Sequence, residues 1–374
     1  MHIRARHYVT GDWIDLHCDR GVITSITPAQ QTAVAMRAGW VAPALFDLQI
    51  NGCDGHNFTS EKVNPASVRH IVDVCRRHGI GQLCPTVFTN SFEVLVHSLA
   101  TLRQACSSDT EVARALPAFH LEGPYISPED GTRGAHPRRH VRPPDWDEFR
   151  HLQDAAGGGI RLVTLAPEHE GAIPFIERLV ASGVVVALGH TAANGVQMRA
   201  AVAAGARLST HLGNGCPALL PRHDNPIWEQ LATDELWASL ICDGHHLPPA
   251  LIRCFVRVKT PGRIILTSDS SSFAGQPPWR YRDWDQEVEV LSTGKIVLPG
   301  TSYLAGSWAF TDTCVGQVMR CAGVSLRDAL DMAGARPREL LGLPPRRLEV
   351  GKPAELVLFE WEPGGTVQIV RSVT

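Results

Sequence analysis

The chain has 374 residues, 44% of them hydrophobic, enough for one large core or for a core plus a small satellite. Thirty-five Lys and Arg against 38 Asp and Glu leave a net charge of -3, which excludes a basic field for nucleic acid and a polybasic membrane stretch. No apolar run reaches the roughly 20 residues of a membrane span, the N-terminus has no apolar signal-peptide core, and the ten Cys form no CxxC pair, so a cytoplasmic protein with reduced thiols is expected.

Residues 1 to about 40 hold short β-like pieces, HYVTGDWIDLH and GVITSIT, too little to bury a core alone. From residue 40 onward eight apolar runs read as strands: WVAPALFDLQI, GQLCPTVFT, ALPAFHLEG, IRLVTLAPE, VVVALGH, ARLSTH, WASLICDGH and RIILTSD. Between them lie helical patterns such as PASVRHIVDVCRRHG and PPALIRCFVRVK, apolar at three- and four-residue steps. Short apolar strands alternating with helices mean parallel βαβ units, and eight of them predict an α/β chain closed as a (β/α)8 TIM-type barrel. A doubly wound sheet is the runner-up, but no GxGxxG opens a helix here. Residues 276–300 read as a hairpin excursion after the last barrel strand. The C-terminal LEVGKPAELVLFEWEPGGTVQIV reads as two or three strands with Gly/Pro turns. Residues 1–42 and 345–374 together are expected to make a small β-sandwich beside a barrel of residues 43–344.

Active sites of such barrels lie where the strands end. Here the strand ends carry Glu122 in HLEG, His190 in LGHT, His211 and Asn214 in STHLGN, Asp243, His245 and His246 in CDGHH, and Asp269 in TSDSSS. Charge after a buried apolar run is costly unless paired or metal-bound. Taken singly, His190 reads equally as a core histidine bonded to backbone, Glu122 as an ion-pair partner of Arg133, and Asp269 as a helix cap. Taken together, Glu122, His190 and His211 supply two imidazoles and a carboxylate, leaving a fourth position open on a tetrahedral Zn2+, and Asp269 is placed as general base. His245 and His246 cannot both face the site if they continue a strand.

These residues also carry a family likeness. HLEGPYISPEDGTRGAHP, LGHT, THLGN, DGHH, LTSDSSSFAG and LAGSWAFTD resemble, in order and spacing, the signatures of N-acetylglucosamine-6-phosphate deacetylases in the amidohydrolase superfamily. The resemblance implies a barrel with a split β-sandwich, and Glu122, His190 and His211 as ligands of one divalent metal, Zn2+ or Fe2+. It implies Asp269 as catalytic acid–base, His246 as the residue polarising the substrate carbonyl, and His136 as a sugar contact. Asn214 and Gly215 match the loop whose backbone meets the phosphate, and Arg222 matches an arginine that reaches a partner's site in a homodimer. Gln49 and Asn51 stand where many superfamily members carry His-x-His, which favours a single metal. The loop Gly-Asn-Gly-Cys-Pro after Leu212, and Ser-Asp-Ser in place of Thr-Asp-Ala, depart from the usual pattern. The expected reaction is hydrolysis of the N-acetyl group of an amino sugar 6-phosphate. Another N-acyl amino sugar, a cyclic amide, or non-catalytic sugar binding are the alternatives.

Overall fold

The computed structural model describes residues 1–30, 39–283 and 286–373. Parts of the N-terminal segment (31–38) and of the excursion (284–285), and residue 374, lie outside the described residues. At the N-terminus β1 (His2–His7), β2 (Trp13–Asp19) and β3 (Val22–Pro28) form an antiparallel meander. Next comes β4 (Trp40–Pro43), which runs parallel to β1.

Here one expectation is corrected. The run WVAPALFDLQI is two strands in two different sheets, β4 and β5 (Leu45–Ile50). Pro43 has no N–H to continue a ladder, and the Ala44 N–H turns to the Glu355 carbonyl instead.

The barrel begins with β5. After the small hairpin of β6 (Gly52–Cys53) and β7 (His56–Asn57), it continues through β8 (Ile80–Phe88), β9 (Phe119–Glu122), β10 (Ile160–Leu165), β11 (Val185–Leu188), β12 (Leu208–Ser209), β13 (Trp237–Ile241) and β14 (Ile264–Thr267). These strands are parallel neighbours in chain order. Between β14 and β5 the gap is closed by an Ile50–Ser270 bridge and by the Asp269 N–H donating to the Gln49 carbonyl. Buried Asp47 reinforces that seam, accepting from the N–H groups of Gln49 and Ser268 and from the hydroxyls of Thr267 and Thr311.

Helices such as Pro65–Arg77, Ala172–Ala181 and Pro249–Lys259 pack their apolar faces on the outside of the barrel. Phe46, Leu48, Cys84, Leu162, Ala187, Leu208 and Ile265 make a second core within the ring of strands, where each large side chain contributes on the order of 1.5–3 kcal/mol. Above them in sequence come Thr86, His120, Thr164 and Thr210, joined by hydrogen bonds of 2.8–3.3 Å, so the interior grows polar toward the strand ends.

The excursion is a three-stranded antiparallel sheet of β15 (Trp279–Asp283), β16 (Gln286–Val290) and β17 (Ile296–Val297). The chain ends with β18 (Leu356–Glu360), which pairs with β4, and β19 (Gln368–Val373). The terminal sheet therefore has the order β19-β18-β4-β1-β2-β3. It bends back so that Val22 bridges Pro353, enclosing its own apolar cluster around Leu16, Ile23, Val41 and Leu356. Among the described residues, no helix is long and apolar enough to cross a membrane.

Candidate active site

His190, His211 and Asp269 each lie two residues beyond a barrel strand, β11, β12 and β14 respectively. All three adopt left-handed backbone conformations, with φ of 50°, 33° and 52°. A non-glycine residue pays roughly 1–3 kcal/mol for that conformation, so the fold is spending stability to set these side chains. The turn breaks the in–out alternation of the strand and carries each side chain over the barrel mouth. Glu122 is the last residue of β9 and needs no such turn.

Three ligand-type atoms meet there. His211 Nε2 lies 3.1 Å from Glu122 Oε1 and 3.0 Å from His190 Nε2, and His190 Nε2 lies 3.4 Å from the same Oε1. All three residues are buried. His190 Nδ1 faces the Thr132 carbonyl at 2.9 Å, which can only accept, so Nδ1 carries the proton and Nε2 presents a lone pair. Lone pairs and a carboxylate converging this closely repel one another unless a cation or a shared proton lies between them. Tetrahedral ligand atoms at bond lengths of about 2.0–2.1 Å stand about 3.3–3.4 Å apart, close to this triangle. The residues therefore fit a small divalent cation. Burial alone would raise the Glu122 carboxyl, but the His190 and His211 rings set against it hold it well below the usual range.

His136 completes the wall. Its Nδ1 lies 2.8 Å from Thr89 Oγ1, its Nε2 lies 3.9 Å from Glu122 Oε2, and its ring stands edge-on to His190 at 4.4 Å. Burial pushes it down to about 3, so it is a neutral imidazole. Glu122, His136 and His190 also form a group whose ligand atoms lie within 4.8 Å of one another. Of the two triplets, the one containing His211 is tighter and shares one Glu122 oxygen. Arg133 does not pair with Glu122; it binds Asp130 at 2.6 Å and the His136 carbonyl.

Asp269 caps no helix: the next described element is β15. Its Oδ1 accepts from Gln49 Nε2 at 2.9 Å and from Asn51 Nδ2 at 2.7 Å. Gln49 Nε2 also donates to Glu122 Oε1 at 2.9 Å, so its amide spans the two carboxylates. Burial and then the Glu122 charge push the Asp269 carboxyl up to about 8, against the opposing pull of His211 and Asn51.

β13 ends at Ile241, so the strand rule does not govern Asp243-Gly244-His245-His246, and both histidines line the cavity. Asp243 was read only as a polar strand-end residue, yet it organises this turn. It accepts the backbone N–H groups of His245 and His246, each at 2.8 Å, the His246 ring at Nδ1 at 2.7 Å and the Ser307 hydroxyl at 3.2 Å. Burial would raise Asp243, but these bonds hold it below the usual carboxylate range, so it is an anion beside the ring. His246 Nε2 is the ring atom left for the cavity. An Asp three residues before a His in a Gly turn is the signal that could have found this pair.

Gly215 packs against the His190 ring: a Cβ there would stand 2.7 Å from Nδ1, and its φ is 58°. The Asn214 amide donates to the His211 carbonyl at 3.2 Å. Both residues line a cavity of about 390 Å³, within the range of small-molecule sites, whose other lining residues include Glu122, His136, His190, His211 and Asp269. Arg222 does not line it; it sits on an exposed loop, where its carbonyl accepts from Trp228 Nε1. The excursion, read from sequence as a hairpin with no stated role, supplies Lys295 to another wall, and residues 302–306, which follow it, supply the rest.

No family model matches the chain. It is 36% identical over 335 residues to the N-acetylglucosamine-6-phosphate deacetylase of Bos taurus, spanning 86% of this chain and 79% of that one. It is 32% identical over 365 residues to the N-acetylgalactosamine-6-phosphate deacetylase of Escherichia coli O157:H7, spanning 96% and 94%. The solved structure of N-acetyl-D-glucosamine-6-phosphate deacetylase from Mycobacterium smegmatis superimposes with a TM-score of 0.86 at 28% identity, over 99% and 98% of the two chains. That of the Thermotoga maritima enzyme does so with a TM-score of 0.83 at 25% identity, over 99% of each.

Proposed function

The chain belongs to the N-acetylglucosamine-6-phosphate deacetylase family of amidohydrolases, and from that premise we propose that it hydrolyses the N-acetyl group of an amino sugar 6-phosphate, releasing acetate and the free amine. The observation that carries this reading is the convergence of Glu122 Oε1, His190 Nε2 and His211 Nε2 within 3.4 Å beside Asp269, in one cavity. Glu122, His190 and His211 would hold a divalent cation, which would supply the acidity to deprotonate water near neutral pH and the charge to polarise a carbonyl oxygen.

The protein's own groups do the rest. Gln49 and Asn51 fix Asp269 through Oδ1, leaving Oδ2 to take a proton from the attacking water. The same carboxyl then gives that proton to the departing nitrogen, which leaves only when protonated. His246, tied to Asp243 through Nδ1, turns Nε2 to the carbonyl oxygen and, protonated, donates to it as negative charge develops. His136 is a sugar contact, and Asn214 with the Gly215 backbone borders the phosphate.

One metal per chain is our reading, because Gln49 and Asn51 offer amides where a second ion needs imidazoles. Zn2+ suits the ligand set and Fe2+ is accepted by it. The chain acts as a homodimer in which Arg222 reaches a neighbour's cavity. Its ten free thiols accord with a reducing cytoplasm.

A second reading, the galacto epimer, is favoured by the relative aligned over 96% of the chain. Amine release from N-acetylglucosamine 6-phosphate, N-acetylgalactosamine 6-phosphate and their unphosphorylated forms decides. Turnover of a phosphorylated sugar at least tenfold above its parent, in kcat/KM, is expected. Equal turnover of phosphorylated and plain sugars would remove the phosphate from the proposal.

A further inference from the structure

The excursion lies across the barrel mouth. Gln286 Nε2 donates to the Ala135 carbonyl at 2.7 Å on one side, and His245 Nε2 lies 3.1 Å from the Thr293 carbonyl on the other. Its turn is closed by the Leu291 N–H donating to the Lys295 carbonyl at 2.8 Å and by the Gly294 N–H donating to the Leu291 carbonyl at 2.9 Å. These bonds set Lys295 on the cavity wall, where no Arg or other Lys is among the described lining residues. Its ammonium makes no ion pair or hydrogen bond among the described residues, whereas arginines such as Arg69, Arg142, Arg199 and Arg346 are ion-paired. A lone, half-buried ammonium on the wall of a cavity whose floor holds Glu122 and Asp269 is a site for an anion.

The chemistry of the substrate says which part of it fits. In a 2-acetamido hexopyranose 6-phosphate, the amide and the phosphate sit on opposite sides of the ring. With the amide at the Glu122–His211 floor, the phosphate must face the mouth, which is where the excursion lies. The phosphate is a dianion at neutral pH and rewards a point charge. Arg222 does not line the cavity of its own chain, so among the described lining residues Lys295 is the Lys or Arg this chain itself offers, beside any Arg222 a neighbour brings.

We propose that Lys295 is a specificity-determining residue that pairs with the substrate's phosphate from the excursion wall. The inference rests on the deacetylation reading above and extends it to a residue for which the strand-end motifs give no signal.

The test compares wild type with Lys295→Met and Lys295→Arg. Kinetics on the phosphorylated and plain N-acetyl sugars are paired with calorimetric binding of glucose 6-phosphate and of glucose, neither of which has an amide to hydrolyse. Lys295→Met should raise KM for the phosphorylated sugar roughly 10- to 100-fold with kcat within about twofold, the mark of lost uniform binding. It should weaken glucose 6-phosphate by a similar factor, leave the plain sugar and glucose unchanged, and be largely rescued in Lys295→Arg. Unchanged glucose 6-phosphate binding, or equal losses on phosphorylated and plain sugars, would overturn the assignment. Failure of the wild type to release amine, with glucose 6-phosphate binding still lost in Lys295→Met, would sink the deacetylation reading while leaving the phosphate contact standing.

Discussion

His136 and His211 both stand beside Glu122, and they separate by mutation. His211 Nε2 sits within 3.1 Å of two other ligand atoms, whereas His136 Nε2 reaches only the second Glu122 oxygen, at 3.9 Å, and its Nδ1 is committed to Thr89. His211→Ala should therefore empty the metal site and abolish turnover. His136→Ala should keep most of the metal and raise KM. Metal content measured on the two purified variants checks this; full occupancy in His211→Ala would reassign the ligands to Glu122, His136 and His190. Asp269→Asn should retain metal but lose about 10²–10⁴-fold in kcat, because an amide accepts no proton. A near-normal kcat would leave Asp269 a structural anchor for Gln49 and Asn51. At this scale the sequence shows polar residues following apolar runs at Glu122, His190, His211 and Asp269, and the structure brings these four to one cavity. The sequence read poorly where a role depends on a distant partner. Gln49 was seen only as a poor metal ligand, because its bridge from Glu122 to Asp269 joins residues 73 and 220 positions away.

The elements show the same division. Period and length revealed the barrel strands, but an apolar run does not say in which sheet it lies, so the split at Pro43 and Ala44 was not legible. Nor does it say where the ladder stops: ARLSTH pairs only over Leu208–Ser209, because His211 has turned out of the strand. The excursion was recognised as a hairpin without its target, since a hairpin's docking face is set by the loops it meets. The loop from Pro217 to Asn225 offers a test of assembly. Leu219 is 90% exposed, Trp228 on the helix that follows is 54% exposed, and the Arg222 side chain makes no ion pair among the described residues. If this loop enters a neighbouring chain, Arg222→Ala should raise KM for the phosphorylated sugar and spare kcat. Sedimentation should show a dimer for the wild type. A monomer with full activity would confine Arg222 to a solvated loop.

At the scale of the whole molecule, the closed barrel brings residues from strands β5, β9, β11, β12, β13 and β14 to one mouth, while the terminal sheet stands apart with its own core. Order along the chain made the barrel legible because each βα unit needs only its neighbour. Convergence of the strand ends made the site legible, since five polar ends on one face have no common structural purpose. The central claim is that one cation, held by Glu122, His190 and His211, makes this protein a deacetylase of an amino sugar phosphate. Its most direct test is titration of the chelator-stripped protein with Zn2+ while amine release from N-acetylglucosamine 6-phosphate or its galacto epimer is followed. Activity should be absent at the start, rise in proportion to added metal, and break at about one equivalent per chain. Full activity in the stripped protein, or a break at two equivalents, would contradict the account.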